Sequence, residues 1–144
     1  MPNVISELVE HPNAEDFQVL LDGVRKFNLS QTGDKLPRPV AYYLRDEAGR
    51  IVGGVQGSLW GRSMHIEVLW VDDDYRGQGH GSRLMAAIEK YASAHGHPLI
   101  YLETTSFQAL PFYRGLGYRT FGELEGISEG HALFFLRKEL STEA

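Results

Sequence analysis

The stretch YRGQGHGSRL, residues 75–84, follows the apolar run MHIEVLWVDDD at 64–74. Between Arg76 and Gly81 it spends three of six positions on glycine, a residue that is costly in regular structure. The backbone there does something that a side chain would prevent, either a tight turn or a cradle for an anion. The residues that follow favour the cradle. A helix begins with GSRLMA and has no Asp or Glu in its first turn, so the positive end of its dipole and its unpaired N–H groups stay free. Glycines just ahead of such a helix let a diphosphate approach those groups closely.

Two nucleotide motifs are excluded at this position. A P-loop ends in Gly-Lys-Ser/Thr, and this stretch has no lysine. The dinucleotide fingerprint needs a glycine three residues after Gly79, where Ser82 stands; Glu103, at the spacing of that motif's acidic residue, does not rescue it, because hairpin strands precede the loop.

Working outward, NVISELVE (3–10) alternates and reads as an opening strand. NAEDFQVLLDGVRKFNL (13–29) places Phe17, Leu20, Leu21, Val24 and Phe27 at helical spacing behind an Asn13 cap, and LSQTGDKLPRPV (29–40) reads as a loop. VAYYLRD (40–46) and RIVGGVQGSLW (50–60) form a hairpin about Glu47–Gly49, and Gly61–Ser63 turns into MHIEVLWV. After the glycine stretch, Leu84, Ala87, Ile88 and Tyr91 mark one face of a helix ended by Gly96 and Pro98. LIYLET (99–104) suits a buried strand, FQALPFYRGLGY (107–118) a short helix closed by Gly115 and Gly117, and YRTFGELE (118–125) and HALFFLRKEL (131–140) two final strands. The sum is one α/β domain over residues 1–144, with a mixed, mostly antiparallel sheet of about seven strands flanked by helices.

Composition narrows the function. The chain has 144 residues, 42% of them hydrophobic, as expected of one globular domain. Lys and Arg number 14 against 19 Asp and Glu, a net charge of −5 that disfavours nucleic acid as a partner. Arg76, His80 and Arg83 make the glycine stretch locally basic, so an anion would bind there. No apolar run is long enough for a membrane span and no secretory signal is visible, so a cytoplasmic protein is expected. With no cysteine, disulfides, thiolate metal sites and a cysteine acyl-enzyme are excluded.

VLWVDDDYRGQGHGSRLMAAIEKYA (68–92) resembles the signature of the GNAT superfamily of N-acetyltransferases, in which a strand leads into Arg/Gln-x-x-Gly-x-Gly/Ala around the pyrophosphate of acetyl-coenzyme A. SFQALPFYRGLGY (106–118) is similar to the family's second motif, an Ala-x-x-x-Tyr helix followed by Gly-Tyr/Phe. The resemblance covers residues 66–118 and implies the GNAT fold, with a splay between the fourth and fifth strands and acetyl-CoA as co-substrate. It implies that Leu69 and Val71 offer backbone groups to the pantetheine arm, with a strand bulge near them opening the slot. Arg76, Gly77, Gln78, Gly79, His80, Gly81 and Ser82 would hold the pyrophosphate, and Tyr113 would sit beside the sulfur. The family often has Asn where this chain has Ser106, whose hydroxyl cannot make both amide contacts; Gln108 is the substitute.

Acyl transfer from a thioester to an amine needs a base for the ammonium and an acid for the leaving thiolate. Tyr113 is the candidate acid, against a packing tyrosine. Glu67, a carboxylate inside HIEVLWV, is the candidate base, against a solvated strand residue or a water relay. Alternation sets it on the face of Leu69 and Val71, opposite Ile66, Val68 and Trp70, and burial there would raise its pKa towards neutrality. Asp72–Asp74 read as a solvated turn, His95 and His97 as a helix end, and Tyr42, Tyr43, Trp60 and Trp70 as packing; no metal spacing such as His-Glu-x-x-His occurs. The expected activity is transfer of acetyl to a primary amine, on a small molecule or a peptide, by direct attack in a ternary complex. The alternative is a non-catalytic acyl-CoA sensor of the same fold. Another acyl donor, such as succinyl-CoA, and a homodimer also fit the pattern.

Overall fold

The computed structural model describes residues 2–33, 36–107 and 109–141, and the chain divides after Leu36 into two compact units. The first unit holds one helix, α1 (Ala14–Thr32). Asn13 caps it, its Oδ1 accepting from the Asp16 N–H at 2.8 Å, and Glu15 and Asp16 complement the dipole in the first turn. The helix outruns its expected end near Leu29. Ser30 and Thr32 donate their hydroxyls to the carbonyls of Phe27 and Asn28, and the helix stops at Gly33 with φ +88°. The strand expected at 3–10 is absent: residues 2–13 have no regular structure. A strand needs a ladder partner for its N–H and C=O groups, and the described residues of this unit include no second strand.

The second unit is a six-stranded sheet ordered β1 (Arg38–Arg45), β2 (Ile51–Trp60), β3 (Ser63–Val71), β4 (Leu99–Thr105), β6 (His131–Glu139) and β5 (Arg119–Ser128). Neighbours run antiparallel except β3 and β4, which are parallel. Two helices complete it, α2 (His80–Ala94) after β3 and α3 (Leu110–Gly115) after β4. This is the GNAT fold expected from the sequence, with six strands rather than about seven because the opening strand is missing.

The core lies between α2 and one face of the sheet. Leu84, Met85, Ile88 and Ala92 meet Val55, Leu59, Met64, Ile66, Ile100, Leu102 and Leu136. The buried stripe of α2 holds Leu84 and Ile88 as expected and adds Met85 and Ala92, while Ala87 and Tyr91 are half-buried at its edge. Glu89 shares that buried face; Tyr118 donates its hydroxyl to one carboxylate oxygen at 2.7 Å and Lys138 its ammonium to the other at 2.9 Å.

Two features of β3 shape the site. The first is a bulge. Gln56 pairs with Val68 but Gly57 with Ile66, so Glu67 is the extra residue. Gly57 is required opposite it, since a Cβ there would lie 3.0 Å from the His65 carbonyl and 3.1 Å from Met64 Cγ. The bulge corrects the simple alternation, because Ile66 and Leu69 now face the same core while Glu67 and Val68 are both exposed. The second feature is the short ladder to β4, which runs only through Ser63–Leu99, Met64–Ile100 and His65–Tyr101. Beyond that rung the strands part, which is the expected splay.

Candidate active site

Val71 ends β3, and the chain turns through one 3₁₀ turn at Asp73–Tyr75, capped by Asp72 Oδ1 accepting from Asp74 N–H at 3.0 Å. Arg76 then ties the loop back. Its Nε donates to the Val71 carbonyl at 2.9 Å, and its Nη1 lies 2.8 Å from Asp73 Oδ1. Gly77 and Gly79 follow with φ +74° and +82°, a region that L side chains rarely adopt. At Gly79 a Cβ would also lie 2.8 Å from Arg83 Nη1. That guanidinium is fixed in place, since its Nη2 donates to the Gln78 carbonyl at 2.8 Å and lies 3.1 Å from His80 Nδ1. Gly79 is the N-cap of α2, no side chain caps the helix and no acid stands in its first turn. The first amides of α2 have no intrahelical partner.

These amides open on a cleft of about 480 Å³. Leu69, Trp70 and Val71 line it from β3, and Arg76, Gly77, Gly79, His80, Gly81 and Ser82 from the loop and helix start; Ala109 and Phe112 close the far wall. Gln78 is not on the wall, and its traced role is to hold Arg83 through its carbonyl. Loop and helix start thus offer backbone donors and positive charge without a competing carboxylate cap, which fits a diphosphate.

A second, smaller cavity of about 170 Å³ occupies the gap where β3 and β4 part. Ile66–Leu69, Leu102–Thr104, Ala109 and Tyr113 line it. Leu69 and Ala109 belong to both hollows, so the cleft and the cavity adjoin. Tyr113 is buried, 8% exposed, with its ring edge-on to Phe112 and Tyr118, and desolvation pushes its phenol pKa above the usual value.

Other residues fall elsewhere. Glu67 rims the small cavity but is exposed, not buried beside the slot as the sequence suggested. Ser106 is engaged by the β6 end: its N–H donates to the Ala132 carbonyl, and its Oγ accepts from Ala132 N–H at 3.2 Å and lies 3.1 Å from His131 Nδ1. It lines a separate hollow with Glu123 and Glu125, not the cleft. Gln108 lies outside the described residues. Tyr43, Trp60 and Trp70 are 45–52% exposed, less packed than expected.

Sequence reading passed over Glu103 as a site residue. It lines the small cavity, and its Oε2 lies 2.7 Å from His65 Nε2. Its signal was the one that singled out Glu67, a carboxylate within an apolar strand.

Comparison with known proteins agrees with this geometry. The model of the acetyltransferase (GNAT) family matches residues 6–118. A blasticidin-S acetyltransferase of Streptomyces morookaense is 38% identical over 101 residues, covering 69% of this chain and 74% of its own. An acetyltransferase from Bacillus cereus superposes with a TM-score of 0.77 at 34% identity, over 93% of this chain and 98% of its own. A protein described as a streptothricin acetyltransferase of Bacillus anthracis, solved with acetyl coenzyme A, gives a TM-score of 0.63 at 25% identity, over 74% of this chain and 65% of its own. The chain belongs to the GNAT family of acetyltransferases.

Proposed function

We propose that this chain is an N-acetyltransferase that carries the acetyl group of acetyl-CoA to a primary amine by direct attack in a ternary complex. The observation that carries the reading is the junction of the two hollows at Leu69 and Ala109. A cleft with an anion cradle at one side adjoins a small cavity that holds a buried phenol. Acetyl-CoA, when bound, supplies the activated acetyl group.

The chain's residues do the rest. The amides at the start of α2, from His80 to Ser82, receive the pyrophosphate, while Arg76 and Arg83 brace the loop that presents them. The β3 backbone at Leu69 and Val71, past the last rung of the β4 ladder, orients the arm. Tyr113 holds a proton close to the departing sulfur. Burial holds it as a phenol, a weaker acid than the thiol it serves, so the proton moves only as negative charge develops on the sulfur and the C–S bond breaks. Glu67 at the mouth of the cavity attracts the cationic acceptor.

The relative named for blasticidin S makes an antibiotic amine one acceptor to try, beside polyamines, amino acids, lysine peptides and protein N-terminal peptides. The test is a panel of these amines with acetyl-CoA, following thiol release and the acetylated product together. Amine-dependent thiol release is the expected result. Tight coenzyme binding with no transfer to any amine would favour the sensor alternative.

A further inference from the structure

The small cavity passes through the sheet rather than lying on it. Ile66, Leu102 and Tyr113 reach it from the face covered by α2, where they join the core. Glu67, Val68 and Glu103 reach it from the other side, since Glu103 alternates with the core residues Leu102 and Thr104 along β4. The coenzyme cleft meets the cavity at Leu69 and Ala109, both packed with the core, so it takes the α2 side. An acceptor then comes from the opposite face.

What meets it there is an organised pair. His65 and Tyr101 form the last rung of the β3–β4 ladder. Their rings stack at 4.7 Å with 16° between planes, which fixes the imidazole. From that rung His65 reaches forward across the opening gap to Glu103, Nε2 to Oε2 at 2.7 Å. Both side chains are about a third exposed, 30% and 35%, so they are accessible to an incoming group yet partly shielded. This link crosses from β3 to β4 at the lip of the cavity that holds Tyr113.

We propose that the Glu103–His65 pair takes the acceptor's proton, with His65 as the positioning residue that holds the carboxylate and shares the charge. The inference rests on the acetyltransferase reading above. An ammonium is not a nucleophile, so one N–H proton passes to the pair before attack and from there to solvent. The second N–H proton leaves as the C–N bond forms and the C–S bond breaks; Tyr113 gives its proton to the sulfur and is restored with this one. Products are the amide, free thiol and one proton released, which balances the ammonium and thioester consumed. The charged and titratable groups facing the pair are Glu67 beyond the bulge, Tyr101 beneath the imidazole and Arg137, the register partner of Tyr101 on β6. Ser58 on β2 and Phe135 on β6, partners of His65 and Glu103, are neutral. Glu67 is the nearest rival for the role, and the experiment separates the two.

The test uses the full chain and the best amine of the panel, and follows kcat/KM from pH 6 towards the amine's own pKa. Glu103→Gln is expected to lower kcat/KM at neutral pH by ~10²-fold or more, with the deficit shrinking as free amine becomes abundant in solution. His65→Gln is expected to show the same pH-dependent deficit at smaller size, and Glu67→Gln to raise KM for the amine while keeping the parent's pH profile. Calorimetric affinity for coenzyme A and the melting temperature are expected to stay near the parent's in all three, which separates loss of the base from loss of fold. A deficit in Glu103→Gln that is equal at every pH, or no deficit, overturns the proposal. So does transfer of the pH-dependent deficit to Glu67→Gln. If the parent binds coenzyme but acetylates no amine, the acetyltransferase reading fails first and this inference falls with it.

Discussion

At the scale of the residue, Tyr113 is a phenol whose surroundings keep it protonated. Burial raises its pKa, and in the proposed mechanism it serves the sulfur that leaves as the thioester opens. Tyr113→Phe keeps the ring and its edge-on contacts with Phe112 and Tyr118. Turnover should therefore fall by ~10²-fold while coenzyme affinity is nearly unchanged. Stopped-flow thiol detection beside calorimetry checks both, and equal turnover would reduce Tyr113 to packing. The motif spacing made this residue legible, because an aromatic at a set distance before Gly-Tyr is a local pattern. Glu103 and His65 were not legible as a pair. They lie 38 positions apart, and the β3–β4 register, which sets His65 beside Tyr101, brings them together.

At the scale of the element, the start of α2 does two things at once. Its glycines let the backbone turn through left-handed conformations, and the absence of a cap leaves the amides to a ligand. Gly81 is inside the helix with ordinary φ, and a Cβ there would touch Phe112 at 3.4 Å, so a larger side chain fits the fold but intrudes on the cleft. Gly81→Val should retain a cooperative melt and lose coenzyme A affinity by at least tenfold in calorimetry, a loss of about 1.4 kcal/mol. Gly79→Val adds strain at φ +82° and should also lower the melting temperature. The glycine pattern announced this element without its neighbours. The opening strand at 3–10 shows the limit of such reading, since alternation specifies a strand only where a partner supplies the other half of the ladder.

At the scale of the whole molecule, three tyrosines tie stability to high pH. Burial raises the pKa of Tyr113; burial and then the Glu103 charge raise that of Tyr101; burial and then Glu89 raise that of Tyr118. In the unfolded chain a phenol ionises near ~10, whereas in the fold these three stay protonated beyond that point. The unfolded state therefore binds fewer protons above about pH 10, and stability must fall as pH rises through that region. Below it these groups contribute no pH dependence. Urea midpoints at pH 8, 9.5 and 11 should be flat and then drop, and part of the tyrosinate absorbance should appear only as the protein unfolds.

The three-rung ladder between β3 and β4 has one further consequence. A sheet ordinarily ends its ladder at its two outer borders, but here a third border lies inside, where β3 and β4 cease to pair past His65 and Tyr101. Outer borders invite any stray strand. This recessed one admits only something narrow. A slender chain carrying its own amide bonds could lie along it like a missing strand, and the molecule would then recognise its donor by completing its own architecture.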